Sequence, residues 1–124
     1  MVAHFAGPDV ISTGDTWWNG IYPFIDYSTG GSINGTIAAL DRTLARASAG
    51  TLIVPGHGAP GSRAELARDR HMLVAIRDRV AALKRRGMTM AEAVAAKPTA
   101  SFDARVNRAV INPDFMTRLV YKGV

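Results

Sequence analysis

Val10-Ile11-Ser12-Thr13-Gly14-Asp15-Thr16 and Thr51-Leu52-Ile53-Val54-Pro55-Gly56-His57-Gly58 decide the fold. Each opens with a short β-prone run, Val10–Thr13 and Thr51–Val54, and each run stops at glycine or proline. Between them, Ser32 stands where a helix N-cap belongs, its hydroxyl able to take a free amide of the first turn. Ile33, Ile37, Leu40 and Leu44 follow at i, i+4, i+7 and i+11, one apolar stripe of a helix that ends near Gly50. Strand, helix, strand is a crossover unit, expected to be right-handed with its two strands parallel. The fold class is therefore α/β.

Outward from this unit, Val2–Phe5 reads as another short strand and Gly7-Pro8-Asp9 as the turn that joins it to Val10. Gly14–Gly31 reads as an ordered loop, too rich in Trp17, Trp18, Tyr22, Phe24 and Tyr27 to be a linker. The second half is helical. Ser62 with Glu65 has capping-box spacing, and Leu66, Leu73, Ile76, Val80 and Leu83 keep one apolar face up to Gly87. Thr89 with Glu92 repeats the box for a short helix to Lys97, ended by Pro98. Asn112-Pro113 starts a last short helix or turn through Tyr121. We read residues 1–124 as a single domain, with a βαβ unit over 1–61 and a helical tail over 62–124.

The chain has 124 residues, 48% of them hydrophobic and 20% charged, which is globular composition and excludes intrinsic disorder. No apolar run approaches the ~20 residues that span a bilayer, so no membrane partner is expected. No signal peptide is visible, which places the chain as given in the cytoplasm, while a longer parent would be free to be exported. Without cysteine there are no disulfides, thiolate metal sites or cysteine nucleophile. Between Ser62 and Gly87 lie eight cations and three acids (Glu65, Asp69, Asp78), and the rest of the chain carries seven charges of each sign. Such a stripe either attracts phosphates or is the solvated face of a surface helix; we take the second reading and expect no nucleic-acid partner.

Asp15 and His57 each sit just past the end of a predicted strand, and the two strands flank one crossover. Ligands of open α/β sheets bind outside the carboxyl ends of the strands, so both side chains would face one crevice although 42 positions separate them. A carboxylate beside an imidazole suits a zinc-type site or an acid/base pair. An Asp after a strand is also a common turn former, and a His in a glycine-rich loop commonly bonds backbone. His4, in the first strand, has the pattern of a packed or edge residue, and His71 falls on the charged side of the long helix.

The residues around these motifs add a resemblance. Thr13-Gly14-Asp15-Thr16-Trp17-Trp18-Asn19-Gly20, then Tyr22-Pro23-Phe24-Ile25-Asp26 and Gly30-Gly31-Ser32, closely resemble the metallo-β-lactamase-fold hydrolases, most of all a bacterial branch of them. Ile53-Val54-Pro55-Gly56-His57-Gly58 resembles the final metal motif of that family. Lys97-Pro98-Thr99-Ala100 and Phe102-Asp103-Ala104-Arg105 are similar to its tail. After Arg105, a Trp and a Gly would be expected where this chain has Val106-Asn107-Arg108.

The resemblance implies half of an αβ/βα sandwich that binds one or two metals, usually zinc, and activates water for hydrolysis. It implies Asp15 as the carboxylate that bridges the metals and orients the attacking hydroxide, and His57 as the last ligand of the second metal. Trp17, Trp18, Asn19, Tyr22 and Phe24 would line the substrate pocket; cover for the crossover helix is an equally natural role for these aromatics. The remaining ligands of the family come from an HxHxDH motif and a later His, both expected upstream of residue 1. With His4, His57 and His71 its only histidines and no HxH, the chain is expected to be the C-terminal half of such a hydrolase. Zinc binding would then be weak or absent in this chain alone. Its partners would be the missing N-terminal half or a second copy, with a small-molecule substrate in the parent. The alternatives are a non-catalytic module that self-associates and a basic-helix protein that binds acidic partners.

Overall fold

The computed structural model describes residues 2–106 and 110–124. Among them, three strands form one sheet in the order β1 (Ala3–Phe5), β2 (Val10–Trp18), β3 (Leu52–His57). β1 pairs antiparallel with β2, and β2 pairs parallel with β3. Helix α1 (Ile33–Arg46) makes the crossover, capped at its start by the Ser32 hydroxyl, which accepts the Gly35 amide at 2.9 Å. The chain is thus mixed α/β, with the parallel pair expected from its sequence.

Both parallel strands run longer than expected. β2 continues through Gly14 to Trp18, so Asp15 lies inside the strand and only the residues from Asn19 onward form the loop. β3 continues through Pro55-Gly56 to His57. The glycine and proline that looked like stops are tolerated for two reasons. Register shifts between Ser12 and Gly14, and again before Trp18, bend β2 without ending its pairing. β3 is an edge strand, where the missing amide of Pro55 costs no ladder bond. At the other end, the Asp9 carbonyl accepts the Leu52 amide at 3.1 Å and its carboxylate accepts the Thr51 hydroxyl at 3.0 Å. Asp9 holds φ 55° there, tying the β1–β2 turn to the start of β3.

Helices α2 (Arg63–Arg85), α3 (Met90–Ala95), α4 (Ala100–Asp103) and α5 (Pro113–Tyr121) follow. The Thr89–Glu92 box is complete, and Asn112 caps α5 with Pro113 in its first turn. Two expectations need correction. The Ser62 hydroxyl does accept the Glu65 amide at 3.3 Å, but the Glu65 carboxylate accepts from Asn19 instead of closing a box. α3 ends two residues before Lys97, which takes φ 55°, and the chain turns into α4, which carries no side-chain cap to announce it. Asn107 and Arg108, where the tail departs from the family pattern, lie outside the described residues.

One core joins the βαβ unit to the tail. Trp17, Tyr22 and Ile25 meet Ile33, Ile37 and Leu40 of α1, Ile53 of β3, Leu66, Met72, Leu73, Ile76 and Val80 of α2, and Met116, Leu119 and Val120 of α5. Among the described residues, the helices cover the side of the sheet where Ile11 and Ile53 are fully buried. Phe5, Val10 and Leu52 stand in register across the other side, with Phe5 55% and Leu52 46% exposed. That side is an open apolar face.

Candidate functional site

Because β2 and β3 are parallel, their C-terminal ends emerge at the same edge of the sheet, with Trp18 opposite His57. Asp15 and His57 meet there, Asp15 Oδ1 lying 3.5 Å from His57 Nε2. Both are accessible, the Asp15 side chain 79% and that of His57 49% exposed. Trp18 lies against the imidazole with ring centroids 3.9 Å apart, and its indole N–H donates to the Asp15 carbonyl at 3.2 Å.

The approach depends on glycines. A Cβ on Gly56 would come within 2.4 Å of Asp15 Oδ1 and 2.7 Å of the Gly14 carbonyl oxygen. Gly58 holds φ +89°, and a Cβ there would meet the Asn19 carbonyl oxygen at 2.4 Å. Only glycine fits either position, because even one methyl would enter van der Waals space already filled by backbone.

Asn19 fastens the strand ends together. Its backbone amide donates to the His57 carbonyl at 2.9 Å, and its side-chain amide donates to the Ala59 carbonyl at 2.8 Å and to Glu65 Oε2 at 3.1 Å. Trp17 and Tyr22 point the other way, into the core. The Trp17 indole donates to Asp69 Oδ2 at 3.0 Å, and the Tyr22 phenol donates to Asp103 Oδ1 at 2.7 Å. Burial, with the Asp103 carboxylate next, pushes the Tyr22 phenol well above its ordinary pKa. Of the five aromatic and amide residues expected along a pocket, Trp18 and Phe24 face open space. They line a cleft of about 560 Å³ beside Asp15, Thr16, Ser32 and Arg42, between the end of β2 and the first turns of α1. His57 is not part of that cleft.

The other two histidines stay apart from the pair. The His4 ring bonds the Asp9 carboxylate at 3.3 Å on the β1 edge, and His71 is exposed on α2. Among the described residues, no group of three or more metal-ligating side chains converges. Asp15 and His57 nevertheless suit two positions of one ion: ligand bonds near 2.1 Å at tetrahedral angles place neighbouring donor atoms about 3.4 Å apart.

Sequence reasoning missed Asp69, counting it with the solvated charges of the basic helix. It is 4% exposed and also accepts the Gly20 amide at 3.3 Å. Its position was the available signal, three residues after Leu66 and four before Leu73 on the apolar stripe. The cations of α2 are largely occupied within the protein. Arg63 donates to the Leu44 and Ala47 carbonyls, Arg70 pairs with Asp41, Arg79 bonds the Pro98 carbonyl and Ser101, and Lys84 bonds the Tyr121 and Val124 carbonyls. No helix among the described residues is long and apolar enough to cross a membrane. No family model matches the chain, and no curated protein matches it significantly.

Proposed function

We propose that this chain is the C-terminal half of a metal-dependent hydrolase of the metallo-β-lactamase fold, and that Asp15 and His57 are its contributions to the metal centre. The observation that carries the reading is the 3.5 Å approach of Asp15 Oδ1 to His57 Nε2 across two parallel strands. The motifs that resemble the family, TGD and PGHG, supply both residues. A surface ion pair would need neither the glycines at 56 and 58 nor a tryptophan laid against the imidazole.

In this reading Asp15 and His57 would hold zinc, and ligands from the other half of the sandwich would complete the site. A divalent metal would polarise the scissile carbonyl or phosphoryl group and make water acidic enough to attack near neutral pH. The chain's own residues have the remaining tasks. Asp15, the more exposed of the pair, accepts a hydrogen bond from the attacking water and so orients it. Trp18 fixes the plane of the His57 ring, and with Phe24 offers an apolar wall to the organic part of a substrate. The substrate class is a lactam, thioester, lactone or phosphoester. The open sheet face supports the half-sandwich reading, since the second layer of the fold would cover Phe5, Val10 and Leu52. A second copy of the chain is the competing occupant of that face.

The direct test is calorimetric titration of zinc into the purified chain at neutral pH. Weak binding is expected, because a catalytic zinc site takes three or more protein ligands and two are present here. His57→Ala should abolish it. Submicromolar binding left intact by His57→Ala would overturn both the ligand assignment and the half-site reading.

A further inference from the structure

Asp69 is an acid on the apolar stripe of α2, buried to 4% exposure. One oxygen, Oδ2, takes both the Trp17 indole N–H at 3.0 Å and the Gly20 amide at 3.3 Å. These donors bracket Trp18-Asn19, and both of those residues contact His57 directly. One helical turn earlier, Glu65 Oε2 accepts from the Asn19 side chain, the same group that bonds the Ala59 carbonyl two residues past His57. Two carboxylates spaced i, i+4 lie on one face of a helix. Here that face is turned to the corner where β2 ends.

We propose that Asp69 and Glu65 are positioning residues for the Asp15–His57 pair, acting through the 17–20 corner. Asp69 pins the corner on both sides, which leaves Trp18 one orientation. That orientation sets the indole against the imidazole at 3.9 Å and its N–H on the Asp15 carbonyl. Glu65 turns the Asn19 amide so that it bridges the segment carrying His57. Neither carboxylate touches the pair, so the influence is on geometry alone. The relevance to a metal rests on the proposed hydrolase reading; the control of His57 orientation does not.

The experiment follows the His57 ring protons by NMR in the full chain, with zinc titration as a second measurement. An indole face at this distance displaces those resonances upfield. Asp69→Ala should remove most of the displacement while far-UV circular dichroism stays native, and should weaken zinc binding by up to roughly 10-fold, the lower end for loss of a group bonded directly to a ligand. Asp69→Asn keeps an oxygen where Oδ2 stands and should restore the displacement. Should Asp69→Ala fail to fold, Trp17→Phe removes one donor and keeps the ring, and should give a partial loss. An undisturbed His57 spectrum in folded Asp69→Ala or in Trp17→Phe overturns the proposal. Collapse of the displacement in a chain whose zinc binding is submicromolar and survives His57→Ala upholds the positioning role and counts against the hydrolase reading alone.

Discussion

Gly56→Ala adds one methyl at the point where β3 passes Asp15. The added carbon would stand 2.4 Å from Asp15 Oδ1, 2.7 Å from the Gly14 carbonyl oxygen and 2.8 Å from the Gly14 carbonyl carbon. The carboxylate can swing away, but the Gly14 backbone cannot without spreading the β2–β3 pair at its register shift. Overpacking of this kind costs about 1–3 kcal/mol. For a domain between the small and mid-size classes this lowers Tm by roughly 4–12 °C. Gly50→Ala is the matched control, since nothing lies within 4 Å of its Cβ position. It should be neutral or stabilising by up to ~1 kcal/mol, through reduced freedom of the unfolded chain. Urea unfolding followed by circular dichroism reads both stabilities, and zinc calorimetry reads whether Asp15 has moved. A Gly56→Ala protein within about 0.5 kcal/mol of wild type, with zinc binding unchanged, would refute the close-approach reasoning. An equal loss in Gly50→Ala would show that the effect is not specific to the site.

Two further outcomes are expected. The open face should drive self-association in the absence of a covering layer: burying the exposed halves of Phe5 and Leu52 is worth about 1 kcal/mol each, or about fivefold each in dissociation constant. Light scattering should give a mass above 13.2 kDa at micromolar concentration and a shift towards monomer in Leu52→Lys; a wild-type monomer throughout would count against an uncovered face. Tyr22 and Tyr27 both have phenol pKa values raised by burial. The folded state therefore holds its protons more tightly than the unfolded one, and the stabilisation is full below the ordinary value of 10.0 and lost as pH rises through the folded value. Tyr22→Phe should cost ~1 kcal/mol at neutral pH and move alkaline unfolding upward; full phenolate absorbance near pH 10 in a still-folded protein would contradict this.

The parts legible in the sequence were those decided locally. Ser32, the Thr89–Glu92 box and Asn112-Pro113 mark helix starts through bonds within one turn. The Asp15–His57 encounter was legible too, because two strands around one crossover must present their ends together. Strand length was not. Gly14, Pro55 and Gly56 are local stop signals, and only the neighbour across the pair shows why they do not stop here: a bare Gly56 lets Asp15 come close. Trp17 and Trp18 are chemically alike and adjacent, yet a strand sends alternate side chains to opposite faces. One therefore anchors on Asp69 and the other rests on His57. Charge hid Asp69 itself, since periodicity counts apolar residues and a buried acid is legible only with its donors in view.

The parallel join of β2 to β3 also sets when the site comes into being. Closing a loop of the 42 positions between Asp15 and His57 costs on the order of 3 kcal/mol in chain entropy before any contact repays it. α2 begins from its own Ser62 cap and rests on contacts within single turns, whereas the strand pair rests on contacts across the whole α1 crossover. The Glu65–Asp69 face is set within one helical turn, whereas the pair it holds depends on residues 42 positions apart. A metal ion or substrate that needs both the carboxylate and the imidazole therefore finds its site only in chains where that long loop is closed.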